Sequence, residues 1–245
     1  MNARDGISIP AAVILAVGVA LAGWWVGHGF AEGRRTDRYV TVKGLSEREV
    51  EADVALWPVS FSAAAEELAL AQQGIEQSKR NVIEFLQEHG IPAEQVALQS
   101  LQVNDQLANP WRGDTPVQNR FIITQTLMVR SEDAQTVRRA SQDIGQLVER
   151  GVILGSHMGP NTGPSYLFTR LNELKPTMLA EATANAREAA GQFAQDSESR
   201  LGAIRNANQG VFVIQARDRA PGTMEENQLY KTVRVVSTVE YFLKN

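Results

Sequence analysis

Thr232-Val-Arg-Val-Val-Ser-Thr-Val-Glu-Tyr-Phe-Leu243 decides how this chain is read. Val233, Val235, Val239, Tyr241 and Leu243 fall on one side of a period of two, and Thr232, Arg234, Thr238 and Glu240 fall on the other. A strand turns successive side chains to opposite faces, so the segment predicts a long, half-buried strand of antiparallel sheet. Its apolar face needs a cover. The nearest candidate is a helix over residues 171–200, whose expected buried side is Ala180, Ala182, Ala186, Ala189 and Ala190 with Met178, Leu179 and Phe193. Small side chains there would let the helix lie close to the sheet.

Outward from this pair the same grammar repeats. Residues 39–46 and 50–63 read as strands, the second carrying Ala55, Trp57, Val59 and Phe61 on one face. Pro58 inside it has no N–H for a ladder bond, which predicts an edge or a bulge. Residues 66–89 show helical spacing through Leu68, Ile75, Val82 and Leu86, and His89-Gly-Ile-Pro92 is a stop signal. Strands are expected at 96–107 and 119–130, a helix at 132–150, and short extended pieces at 151–157 and 165–169, before a strand at 204–216. Two copies of strand, helix, strand, long loop, strand follow, at about 50–130 and 151–243, from the order of elements alone. The predicted fold class is therefore α+β: duplicated β-α-β-β units with helices packed on mainly antiparallel sheet, plus an N-terminal transmembrane helix.

That last element comes from residues 1–31. No formally charged side chain occurs from Gly6 to Ala31, and the run from Pro10 to Val26 is almost wholly apolar. About 20 such residues span a bilayer core. The reading is an uncleaved anchor, with Trp24 and Trp25 at the headgroups and Gly23 and Gly27 as a G-x-x-x-G contact between helices. The alternative is a secretory signal cut near Ala22. Residues 32–38 form a connector and residues 39–245 the folded body. Arg34, Arg35 and Arg38 after the helix argue for a cytoplasmic body, whereas long domains translocate regardless of such charges.

Composition narrows the chemistry. Hydrophobic and charged fractions of 43% and 21% suit a globular body rather than a disordered one, and a net charge of −4 gives no reason to expect nucleic acid. Without cysteine there is no disulfide, thiolate nucleophile or thiolate metal site. His28, His89 and His157 lack metal-ligand spacing, and no G-x-S-x-G, P-loop or G-x-G-x-x-G string occurs. The expectation is a protein without cofactor, metal or catalytic residues. The loop 105–118, longer than hairpin norms of about 2 to 5 residues, carries Trp111 and Arg112 as a candidate contact with a partner or another subunit; the alternative is that Trp111 folds back on its own hairpin.

Several strings resemble the SIMPL-domain family of bacterial periplasmic and outer-membrane immunogenic proteins. They are Val42-Lys-Gly44 with the strand from Val54 to Ser60; His89-Gly-Ile-Pro92 followed by Val96 to Val103; and Ala182-Thr-Ala-Asn-Ala-Arg-Glu-Ala-Ala190 followed by Leu201-Gly-Ala-Ile204. The resemblance covers residues 39–243. It implies an exported domain facing the cell envelope, without established catalytic activity, that tends to form oligomeric rings and is loosely tied to stress tolerance. Together these readings predict a non-enzymatic, self-associating structural or interaction module. It would sit in the inner membrane as a single-pass protein with its body in the periplasm. Its partners would be the bacterial membrane, further copies of itself through exposed edges such as the Pro58 strand, and another envelope protein. The alternative is a periplasmic binding module for a small ligand or a damaged envelope component.

Overall fold

A computed structural model describes residues 9–33, 38–108, 118–155 and 163–244, with side chains of 9–12 and 27–33 left out. In chain order the elements are α1 (Ile9–Gly33), β1 (Tyr39–Glu51), β2 (Val54–Ala65), α2 (Leu68–Glu88), β3 (Val96–Asp105), β4 (Phe121–Ser131), α3 (Ala134–Gln142), α4 (Gly145–Glu149), β5 (Ile153–Leu154), β6 (Ser165–Leu167), α5 (Leu171–Asp196), β7 (Arg200–Gln209), β8 (Val213–Ala216) and β9 (Tyr230–Lys244). They build two sheets. One has the order β3-β4-β2-β5, with β6 also on β2; the other has the order β1-β9-β7, with β8 on β9.

The chain divides into two compact units. The larger comprises Leu45–Ala184 and Gln209–Ser237. Its core joins Trp57, Val59 and Phe61 of β2, Ile123, Leu127 and Val129 of β4, and Ile75, Val82, Phe85 and Leu86 of α2. Helix α2 ends as its sequence predicts: Gly90 takes a φ of +81°, and the Ile91 N–H reaches back to the Leu86 carbonyl at 2.9 Å. Asp133 caps α3, its carboxylate accepting from the Thr136 N–H at 3.0 Å. A second cluster of this unit sets Met178 and Ala182 of α5 against Val233 and Val235 of β9.

The smaller unit comprises Met1–Gly44, Asn185–Asn208 and Thr238–Asn245. Ala186 and Ala190 pack there with Val42, Val239 and Tyr241. Gly202 is needed where it stands, because a Cβ at that position would meet the Phe242 carbonyl oxygen at 2.8 Å.

Several expectations require correction. The N-terminal helix exists, but among the described residues no helix is long and apolar enough to cross a membrane. The transmembrane anchor falls on this finding, and with it the single-pass place in the inner membrane.

Pro58 does not mark an edge. β2 pairs with β4 along its whole length on one side; on the other, β6 takes Val54–Leu56 and β5 takes Phe61–Ser62. The Ser60 carbonyl accepts from the Gly155 N–H on that second side, and residues two apart share a side. Pro58 therefore faces the interval between the two short strands, where no described strand residue pairs with it and its missing N–H costs no ladder bond.

The expected helix at 132–150 is broken into α3 and α4. The copies expected at 50–130 and 151–243 do not each build their own sheet: β5 and β6 join β2, and the strand beside β9 is β1, which precedes both copies. On α5 the buried residues are Met178, Ala182, Ala186, Ala190 and Ala194, whereas Ala180 and Phe193 are exposed.

Candidate functional site

The uncovered face of β3 is the first candidate. Opposite residues of an antiparallel pair share a face. Leu98 lies opposite Leu127, Leu101 opposite Gln125 and Val103 opposite Ile123, after a bulge between Leu98 and Ser100. Leu127 and Ile123 belong to the buried core, so Leu98, Leu101 and Val103 occupy the helix-bearing side of the sheet. Yet they are 58%, 54% and 54% exposed. The reason is width. Helix α2 packs on β2 and β4, and the apolar stripe runs one strand further than its cover.

Nothing in the sequence of β3 blunts this edge. Proteins protect free edges with proline, lysine or inward charges. Val96-Ala-Leu-Gln-Ser-Leu-Gln-Val-Asn-Asp105 has one charge, Asp105, and no proline. Arg120 takes that charge up, donating from Nη2 to Asp105 Oδ2 at 2.8 Å and from Nε to Oδ1 at 3.1 Å. These hydrogen bonds hold the Asp105 carboxyl below the usual carboxylate range. The edge is thus a nearly neutral row of backbone donors and acceptors beside three large apolar side chains.

A polar cleft of about 430 Å³ in the larger unit is the second candidate. Arg138, Ser141 and Gln142 of α3 and Tyr166 of β6 line one side, and Arg217, Asp218 and Tyr230 belong to the other. Burial raises the pKa of the Tyr166 hydroxyl, opposed by a hydrogen bond with Ser141 and by the charge of Arg138. Tyr166 therefore keeps its proton near neutral pH. Arg217 donates to Asp218 Oδ2 at 2.9 Å from Nη2 and lies 4.6 Å from the centre of the Tyr230 ring. Gln228 braces the loop by accepting from the Asp218 N–H at 3.1 Å and donating to the Asp218 carbonyl at 2.6 Å.

Of the candidate site residues singled out from sequence, those described lie on α1 alone. Gly23, Trp24 and Trp25 lie on α1; Trp24 and Trp25 are exposed, and a Cβ on Gly23 would meet open space. Gly27 is in the same helix, among the residues whose side chains are not described. Trp111 and Arg112 lie outside the described residues. Neither candidate was visible as a motif, since β3 reads as an ordinary strand and the cleft is assembled from α3, β6 and the approach to β9.

Among the described residues no group of three His, Asp or Glu side chains could hold a metal ion. His89 is tied to its own helix, with Nδ1 2.8 Å from the Phe85 carbonyl and Nε2 3.4 Å from Asp143. Lys231, fully buried on β9, donates to the Glu225 carbonyl at 2.7 Å and pairs with the Glu225 carboxylate.

Residues 40–241 match the family model described as "SIMPL: Protein of unknown function (DUF541)". No curated protein matches the chain.

Proposed function

We propose, from the premise that the chain belongs to the SIMPL family of proteins of unknown function, that it is a self-associating interaction module that binds other molecules rather than transforming them. Copies join through the free edge of β3, strand to strand. The observation that carries this reading is the core stripe left open at Leu98, Leu101 and Val103 beside a strand edge that no other described strand pairs with. An antiparallel β3–β3 pair about a two-fold axis would continue the sheet and give each apolar stripe the other as its cover. Main-chain hydrogen bonds would supply affinity, and the three side chains would fix register.

Light scattering coupled to size-exclusion chromatography of the full chain tests it. The unaltered protein should run as a dimer or larger, and Leu101→Lys should shift it to monomer. That substitution lies on an exposed position, so the fold should lose no more than about 0.5 kcal/mol. A monomeric unaltered protein, or a Leu101→Lys protein that assembles as before, would refute the proposal.

A further inference from the structure

The cleft beside Tyr166 shares no residue with the β3 edge, and its donors have a definite chemical preference. Its two guanidinium groups are in different states. Arg217 is committed to Asp218 and stacked over Tyr230. Arg138 is exposed and has no carboxylate within ion-pair distance among the described residues. One positive charge in the cleft is thus uncompensated, in a chain whose net charge is −4.

Arg138 and Gln142 stand four residues apart on α3, and side chains at that spacing lie on the same helix face. A guanidinium and an amide N–H are therefore offered side by side. Ser141 donates to the Arg138 carbonyl at 2.8 Å, fastening the last turn of the helix between them. The opposite wall is already stiffened by the Gln228–Asp218 pair of hydrogen bonds and by Gln135 Nε2 donating to the Tyr230 hydroxyl at 3.1 Å. A site whose walls are ordered before binding loses less entropy when a ligand enters.

We propose that this cleft binds a small organic monocarboxylate, its carboxylate seated on the Arg138 guanidinium with the Gln142 amide as second donor and its body against Tyr166 and Tyr230. The planar guanidinium fork matches a carboxylate edge to edge. A single uncompensated positive charge neutralises a monoanion, whereas a phosphate dianion would carry a second charge out of water without a partner. The volume of about 430 Å³ lies within the range of small-ligand sites. The inference stands whether or not copies associate through β3, because every residue it uses belongs to one chain.

Isothermal titration of the full chain with N-acetylalanine, its neutral amide and inorganic phosphate, in low-salt buffer at neutral pH, tests it. N-acetylalanine should bind at one site per chain, and the amide should give no saturable heat. Arg138→Gln should weaken binding by about tenfold or more, the scale of one lost charge-assisted hydrogen bond. Lys79→Gln, a control that removes a half-buried charge on α2, outside the cleft, should leave binding unchanged. Equal binding of acid and amide, tighter binding of phosphate, an Arg138→Gln protein that binds as before, or no saturable binding of N-acetylalanine would each overturn the proposal. Circular dichroism of Arg138→Gln guards against misfolding, and the cap of α3 is untouched by the substitution because Asp133 holds the helix start through the Thr136 N–H.

Discussion

Helices α2 and α5 serve sheets of the same plan by opposite means. In both sheets the strand after the helix lies at an edge, the next long strand sits beside it, and a strand from before the helix comes third: β3-β4-β2 under α2, and β7-β9-β1 with α5. α2 buries Ile75, Val82, Phe85 and Leu86, large side chains that fill space. α5 buries Met178 and then only alanines, at Ala182, Ala186, Ala190 and Ala194. Residues spaced by four drift by about 40° per step around a helix. Such a stripe winds, and it suits a sheet that twists beneath it. The difference teaches where each region keeps its stability: α2 relies on volume, α5 on closeness. A large core beneath α2 also explains how β3 can leave three apolar side chains open without undoing the sheet.

The sharpest way to break this comparison is to remove volume from the first region. Phe85 is fully buried among Trp57, Phe61 and Leu86. Phe85→Ala should cost about 3–5 kcal/mol in chemical denaturation, from lost transfer energy and the cavity left behind. A cost below about 1 kcal/mol would mean that α2 is not held by packing.

The second region should fail in the opposite direction, by addition. Ala186 is fully buried against Val42, Val239 and Tyr241. Ala186→Leu should destabilise by about 1–3 kcal/mol because the helix cannot retreat from the sheet. Ala180→Leu, on the exposed side of the same helix, should stay within about 0.5 kcal/mol of neutral. Equal effects at the two positions would erase the idea of a close-packed stripe.

Ala180 also shows what could be read from the residues alone. An alanine-rich helix announces close packing, but its many alanines leave the buried face under-determined, and Ala182, Ala186 and Ala190 were separable from Ala180 only once β9 was in place. The alternation of β9 and the end of α2 at Gly90 were legible because both are local: a period of two, and a left-handed residue followed by proline. Pro58 misled because its missing N–H marks an unpaired position, which here is a gap inside a sheet rather than an edge. The β3 site was hidden for a related reason. Periodicity tells which residues share a face, but not whether the helix packed on that face is wide enough to cover them. The cleft was hidden more deeply, since Arg138, Tyr166 and Arg217 are brought together only by the pairing of β6 with β2 and the return of the chain to β9.

The smallest expected effect sharpens the comparison at the polar side of α5. Glu181 accepts from the Ser46 hydroxyl at 2.7 Å and from Arg48 Nη2 at 3.2 Å, tying α5 to β1 within the larger unit. The Ser46 hydrogen bond, then the charge of Arg48, holds the Glu181 carboxyl below its ordinary value of 4.5. A group whose pKa is lower when folded adds stability above its unfolded pKa, and that stability is lost as pH falls through the folded pKa. The tie should therefore be complete at neutral pH and fade on acidification below about pH 4.5. Because the carboxylate is open to water, screening keeps the contribution small. Glu181→Gln should lower the melting temperature slightly at pH 7, and the gap from the unaltered protein should close as the pH is taken below that value. A gap that persists unchanged in acid would assign the effect to shape rather than charge. In that case α5 would be held by its alanine stripe alone.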